Sequence, residues 1–443
     1  MHNTFTRREF LRRGAMAAIA AGIAPAFIRS LRAAPPSETI LHACIGASGM
    51  GGSDLQSISH HPFVKIVAIA DVELAKAEGW KQRFPEVRVY QDWRKLLEKE
   101  KKIDSLNVST PDHMHGPIAM SAMQLGKHVY CQKPLAHDIY EVRQLTQVAR
   151  AKRLVTQMGI QIHSLQEYRL AVRLVRDGAI GKVKDVHTWS SKDWGDPKPK
   201  PDRSDPVPAG FDWDAWLGVM ASRPFIGEGY YHPGNWRRRL DFGTGTFGDM
   251  GCHIYDPVFN ALALTAPISV HSEGAAPNAW NWASNALIRY VFPGTACTAG
   301  KTVNVTWYDG NQRPPKEIQA LAGGELPDQG SVFLGTDGVM LLPHIGKPKL
   351  LPEEKFAAFK PPQIENGNHY TLFLEAVRGN GRTTASFDYS GPLTETVLLG
   401  GVATHFPQTA LQWNAKALKF RNVSAANRLL RRRYRKGWEV KGL

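Results

Sequence analysis

Three stretches of this 443-residue chain carry side chains whose type and spacing could do chemistry. In Val129-Tyr130-Cys131-Gln132-Lys133-Pro134 a lysine stands directly before a proline. The proline ring steers the preceding residue out of the α region toward extended backbone. Lys133 is therefore predicted at the carboxyl end of a strand, the edge at which open α/β sheets take ligands. A surface lysine beside a turn accounts for the same residues. In Asp249-Met250-Gly251-Cys252-His253 the acid and the histidine are four apart, so a helix beginning here sets both on one face. A histidine near neutral pKa can take a hydroxyl proton, and a carboxylate beside it can orient the ring and bind the substrate. By spacing alone, a helix N-terminus with a stabilising acid and a core histidine explains that pair equally. Asp256, one helical turn on, reads as structural.

The third stretch is Gly46-Ala47-Ser48-Gly49-Met50-Gly51, which follows the apolar run Ile40-Leu41-His42-Ala43-Cys44-Ile45. Strand, glycine turn and helix in that order let backbone approach a pyrophosphate, with helix N–H groups pointing at it. Gly46 and Gly51 meet the G-x-G-x-x-G template, while Ser48 takes the middle glycine position. The next strand, 64–70, ends in Asp71. An acid there can accept both ribose hydroxyls of NAD and would repel a 2′-phosphate, so NAD is expected in preference to NADP.

To place these groups the chain must alternate strand and helix. After Asp71, 93–99 reads as helix, 103–108 as strand, 109–115 as a polar turn, 118–125 as helix and 128–131 as the strand carrying Lys133. The alternation predicts a doubly wound parallel sheet, an α/β Rossmann domain over 38–154. His113 and His115 have no third partner at metal-ligand spacing, and no metal is expected. From 155 to 415 the pattern changes to an α+β domain with a large, open, mostly antiparallel sheet: 183–190, 286–292, 296–305, 318–322 and 331–334 read as strands. One face of such a sheet packs on helices and the other needs a cover, commonly a second copy of the chain. Late helices over 369–378 and 392–406 are expected to return and brace the first domain. Between 192 and 240 lies a long irregular stretch holding Trp194, Trp213, Trp216, Tyr230, Tyr231 and Trp236. Loops of that length are functional or disordered, and this aromatic content argues for order. Aromatic faces suit stacking on sugar C–H surfaces, although core packing explains several of these rings. Trp236-Arg237-Arg238 is the best candidate to reach a polar ligand.

Charge and composition exclude other classes. The net charge of +15 divides into +5 from residues 1–34 and +9 from 416–443, leaving +1 on the body. No basic stripe crosses the fold, and nucleic-acid binding is set aside. The 416–443 tail reads as a basic helix end whose charges are solvated. Residues 1–34 combine Arg7-Arg8-Glu9-Phe10-Leu11 with an alanine-rich apolar run, the pattern of a twin-arginine signal peptide, not of a membrane span that persists after processing. The four cysteines are far apart and form no CxxC, so buried free thiols are expected.

Gly46-x-Ser-Gly-x-Gly51, Thr110-Pro111-Asp112-His113-Met114-His115 and Gln132-Lys133-Pro134 together resemble the Gfo/Idh/MocA oxidoreductases, the family of glucose–fructose oxidoreductase and inositol dehydrogenase. The pattern Gly243-x-Gly245 followed by Asp249-Met250-Gly251-x-His253 is similar to that family's catalytic motif. The resemblance implies that Gly46, Ser48, Gly49, Met50, Gly51, Asp71, Thr110, Pro111, His115, Gln132 and Lys133 meet NAD. It also implies that Lys133, Asp249 and His253 act on substrate, that Gln161, Trp236 and Arg237 bind it, and that the chain forms a homo-oligomer. The family's usual Glu-Lys-Pro is Gln-Lys-Pro here, so a charge normally near the nicotinamide is missing.

The expectation is an exported NAD-dependent oxidoreductase of a sugar, polyol or glycoside, acting by hydride transfer. Outside the cytoplasm no NAD pool is at hand, so the cofactor would stay bound and be recycled. Recycling could couple two sugars, or could oxidise, eliminate and re-reduce a glycoside so that the net reaction is glycosidic. Gln132 and Ser48 leave a third reading, a sugar or NAD sensor without turnover.

Overall fold

The computed structural model describes residues 39–443 of the chain; residues 1–34, expected as a signal peptide, lie outside the described residues. Six strands form the first sheet: β1 (Ile40–Ile45), β2 (Val64–Ala70), β3 (Arg88–Tyr90), β4 (Ser105–Val108), β5 (His128–Gln132) and β6 (Thr156–Gly159). Their order is β3-β2-β1-β4-β5-β6 and every pairing is parallel. Between them run α1 (Met50–Ser59), α2 (Asp112–Gln124) and α3 (Ile139–Ala151). The strands are nearly continuous apolar runs because helices cover both faces. This is the doubly wound Rossmann arrangement the alternation predicts. Two local corrections apply. The 155–163 stretch, placed beyond the first domain, supplies β6 as that sheet's edge strand, and α2 begins at Asp112, so His113 and His115 sit in its first turn instead of in a loop.

After α4 (Gln166–Arg176) comes the second sheet. It holds β7 (Val183–Ser190), β8 (Ser269–Ser272), β9 (Leu287–Pro293), β10 (Thr302–Asp309), β11 (Gln329–Gly335), β12 (Val339–Pro343), β13 (Lys349–Leu351), β14 (Leu411–Asn414) and β15 (Lys419–Phe420). The order is β13-β12-β11-β7-β10-β9-β8-β14-β15. Only β7 and β10 pair in parallel, so the sheet is mostly antiparallel as expected. Its inner face meets α5 (Gly245–Ile254). The 318–322 stretch, expected as a strand, is instead α6 (Lys316–Leu321). Ile318 and Ala322 lie against Trp189, Tyr308 and Val332, so the chain itself covers part of the face that was expected to need a partner.

The late helices α7 (His369–Val377) and α8 (Phe387–Thr404) return to the first sheet, α7 packing on α1 and α8 on α3. Most rings of the 192–240 stretch pack on one another: Trp213, Trp216, Tyr231 and Trp236 close on Phe211, Phe225 and Phe242. The basic tail is also folded onto the body, contrary to its reading as a solvated helix. Residues 424–429 make a short 3-10 turn, and Ala426, Leu430 and Trp438 are buried. Arg432, with a side chain 12% exposed, donates to Glu141 of α3 at 2.6 and 2.8 Å. No helix among the described residues is long and apolar enough to cross a membrane.

Candidate active site

The glycine turn between β1 and α1 needs its glycines for two different reasons. Gly46 has φ +94°, and a Cβ there would lie 2.3 Å from the Ser109 carbonyl oxygen. Gly51 sits over the turn itself, where a Cβ would lie 2.5 Å from the Gly46 carbonyl oxygen. With both contacts permitted, the turn lies against the end of β4. No side chain caps α1, so its first-turn N–H groups remain to serve an anion. Beside the turn opens a cavity of ≈ 620 Å³ bounded by Gly46, Ser48, Gly49 and Met50. Asp71, Thr110 and Pro111 complete one wall, and Trp216, Trp236 and Arg237 of the aromatic stretch complete the other.

Asp71 does two things at once. Its carboxylate accepts from the backbone N–H of Ala47 at 2.8 Å and of Glu73 at 2.9 Å, which ties the turn to the end of β2. Burial raises its pKa, and those two hydrogen bonds oppose the rise. Each oxygen keeps a further lone pair for a ribose hydroxyl. The size of the cavity, its uncapped helix end and this acid fit a dinucleotide such as NAD.

Lys133 projects from the end of β5, as predicted, and is held across the gap to α5. Its ammonium donates to the Asp249 carbonyl oxygen at 2.7 Å and to Asp249 Oδ1 at 2.5 Å. Asp249 also takes the indole N–H of Trp194 at 2.8 Å, and faces Arg237 at 3.4 Å and Lys192 at 3.6 Å. Burial alone would raise this carboxyl. The charges of Lys133, Arg237 and Lys192 outweigh burial and hold it well below the usual carboxylate range.

His253 lies one turn further along α5, but Asp249 does not orient it. Its Nδ1 is enclosed without a hydrogen-bond partner, and its ring centroid lies 5.7 Å from that of His344, in the β12–β13 connection. Burial first, then the Lys133 charge, push the His253 pKa well down, and burial lowers His344 to about 4. Both rings are neutral near pH 7.

Three residues expected at the ligand do not line the dinucleotide cavity and are engaged with other parts of the chain. His115 bridges the carbonyls of Thr110 and Pro134 at 2.8 and 2.7 Å, clamping the Lys133 turn to the groove wall. Gln132 donates to both oxygens of buried Asp54, at 3.1 and 2.9 Å. Gln161, expected to bind substrate, donates to Tyr130 at 3.3 Å and Tyr370 at 3.2 Å, and Tyr370 donates to Asp54 at 2.8 Å. Asp256, predicted to be structural, is buried and accepts from His163 and Tyr168 at 2.8 and 2.9 Å.

Sequence reasoning did not select Asp54, Lys192 or His344. For Asp54 a signal existed: Gly51, Asp54, Leu55 and Ile58 make the buried face of α1, where an acid needs a specific partner. Lys192 and His344 come from connections far apart in sequence and carry no such mark.

Comparison with known proteins agrees with the geometry. Levoglucosan dehydrogenase of Pseudarthrobacter phenanthrenivorans is 29% identical over 133 residues, 30% of this chain and 33% of that protein. Alpha-N-acetylgalactosaminidase of Shewanella oneidensis is 29% identical over 159 residues, 34% of each chain. The matches thus span about a third of the length of these curated relatives. The WlbA dehydrogenase of Bordetella pertussis, solved with NADH and UDP-GlcNAcA, shares the fold with a TM-score of 0.59 at 14% identity, covering 85% of this chain and 98% of that one. The model of the oxidoreductase family's NAD-binding Rossmann fold matches residues 40–160, and that of its C-terminal alpha/beta domain matches 182–314. With both models matched over more than half of its length, the chain belongs to the Gfo/Idh/MocA oxidoreductase family.

Proposed function

We propose that the protein is an exported NAD-dependent oxidoreductase that interconverts a hydroxyl-bearing carbon of a carbohydrate and the corresponding carbonyl, and keeps its cofactor between turnovers. The observation that carries this reading is the Lys133–Asp249 contact, which sets an ammonium from the first sheet against the helix of the second, beside the dinucleotide cavity. NAD bound along the glycine turn supplies the hydride acceptor or donor. The chain's own residues do the rest. Lys133 donates a hydrogen bond to the reacting oxygen and stabilises negative charge developing there. Asp249 holds the ammonium in place and stays ionised. His253, a neutral ring, receives the hydroxyl proton in the oxidising direction. Because neighbouring cations disfavour its imidazolium, that proton is passed on to solvent and not retained. Asp71 and Glu73 at the ribose end of the cavity support NAD over NADP, since both would repel a 2′-phosphate.

Export rests on the paired arginines and apolar run of residues 1–34. Retention of the cofactor follows from export, because a cofactor lost outside the cytoplasm is not replaced. A second reading, net cleavage of a glycoside through transient oxidation, is favoured by the similarity to an alpha-N-acetylgalactosaminidase.

The test is to denature the purified mature protein and assay the supernatant for NAD(H) by absorbance and mass. Stoichiometric release supports a retained cofactor, and paired sugars and aryl glycosides then separate the two readings. Absence of both release and rebinding of NAD overturns the proposal.

A further inference from the structure

The 210–237 part of the irregular stretch borders the dinucleotide cavity and is tied to the first domain at the loop after β2. Phe211 pairs with Glu73 as an isolated antiparallel bridge. On either side of that pair, the Asp212 N–H donates to the Val72 carbonyl at 2.9 Å and the Leu74 N–H to the Gly210 carbonyl at 3.4 Å. The Gln91 amide, just past β3, donates to the same two carbonyls at 3.0 and 3.1 Å. Further along the segment, His232 meets Glu73 at 3.2 Å and stacks on Phe211 with ring centroids 5.0 Å apart. All of these ties sit next to Asp71, the acid expected at the ribose.

From this latch the segment runs along the cavity. Trp216, His232, Pro233, Trp236 and Arg237 line it together with the glycine turn, and Arg237 then faces Asp249 at 3.4 Å. One segment thus extends from the ribose end to the reacting groups. Its rings close on one another, so it keeps its own shape. A second set of ties comes from the C-terminal tail. The Arg435 N–H donates to the Val219 carbonyl at 2.8 Å, and its guanidinium donates to the carbonyls of Gly218 and Asp214, both at 3.1 Å. Trp438, buried three residues on, carries the Arg94 guanidinium 3.8 Å over its ring, which fixes the tail to the first domain. A ligand held between the glycine turn and such a segment leaves only when the segment opens. The latch consists of a few hydrogen bonds and one ion pair, the kind of contact that local opening can break without unfolding the body.

We infer that 210–237 is a retention strap for the cofactor: latched by Glu73 and Gln91 and backed by Arg435, it governs the rate at which NAD enters and leaves. This rests on the reading of the cavity as an NAD site and adds the device that keeps the cofactor there. It also gives the folded tail a task.

The experiment locks the latch. Residues 73 and 211 exchange no hydrogen bond with each other, and the Cα atoms of such antiparallel pairs lie about 4.5 Å apart, within reach of a disulfide. The double variant Glu73→Cys/Phe211→Cys is loaded with labelled NAD while reduced, half is oxidised, and release into excess unlabelled NAD is followed in both halves. Release from the oxidised half is expected to be at least about tenfold slower, a change in dissociation rate that reduction reverses. Equal release from the two halves overturns the inference, and so does failure of the disulfide to form, since the 73–211 pairing would then be absent in solution. Arg435→Met leaves the cavity lining untouched and keeps the test open should the double variant not fold. It should release NAD several-fold faster than the native protein, and unchanged release overturns the inference. Failure of the native protein to bind NAD overturns the broader reading as well, whereas binding with equal release rates overturns the strap alone.

Discussion

Gln132 turns its amide onto Asp54 so that one N–H₂ group serves both carboxylate oxygens, at 3.1 and 2.9 Å. The glutamine that departs from the family's usual glutamate is therefore the residue this chain needs. Asp54 is fully buried and collects further hydrogen bonds from Ser109 at 2.7 Å and Tyr370 at 2.8 Å. A glutamate at 132 would set two carboxylates together without water, and one of them would have to take a proton.

Gln132→Glu should accordingly destabilise the fold by roughly 1–3 kcal/mol, the cost of leaving a buried polar group without its partner. Because residue 132 adjoins Lys133, turnover should fall with it. The double variant Asp54→Asn/Gln132→Glu restores one donor and one acceptor to the pair, and thermal unfolding should recover most of the loss. An additive double variant would show that the two side chains do not act as a unit.

The pH dependence of stability offers a separate reading of Asp54. Burial raises its pKa to about 6, against hydrogen bonds from Ser109, Gln132 and Tyr370 that lower it. A carboxyl raised on folding binds more protons in the native state between about pH 4 and 6, so its contribution to stability falls as pH rises through that window. Asp54→Asn removes the titration. The unfolding free energy of the variant minus that of the native protein should grow between about pH 4 and 6, by roughly 1.4 kcal/mol for each pH unit crossed, and level off above. A difference independent of pH would mean that Asp54 does not titrate in this range.

Lys133→Met separates chemistry from folding. Without the ammonium, Asp249 keeps the Trp194 indole at 2.8 Å with Arg237 and Lys192 nearby, so its charge stays compensated. The variant should unfold within a few degrees of the native protein and retain NAD, while turnover drops on the order of 10²- to 10⁴-fold. Loss of bound NAD together with activity would assign Lys133 to cofactor retention instead.

Arg432→Ala tests the folded tail. Glu141 is 1% exposed and accepts from Arg432 and from Tyr434, the latter at 2.5 Å. Removing the guanidinium leaves a buried carboxylate short of its counter-ion, a loss of about 3–5 kcal/mol. Removing both charges, in Arg432→Met with Glu141→Gln, should restore much of it. Little change in melting temperature on Arg432→Ala would mean that the tail is not docked in solution.

Local chemistry and periodicity are legible in the amino-acid order, and the features they impose could be read there. The strand–glycine–helix order at Gly46–Gly51, the pre-proline lysine at 133 and the alternation of β7 could each be read from neighbouring residues, because pleat, helix repeat and backbone sterics act over a few positions. The same short range explains the errors. Over 318–322 the apolar residues are too few to separate a strand from a helix, and packing on the second sheet selected the helix. The tertiary structure decided the partners. Asp249 is shared among Lys133, Trp194, Lys192 and Arg237, Gln132 faces Asp54 across 78 positions, and Arg432 meets Glu141 across 291. Charge and hydrogen bonding act through space, so which acid answers which base is settled only when the chain has brought them together.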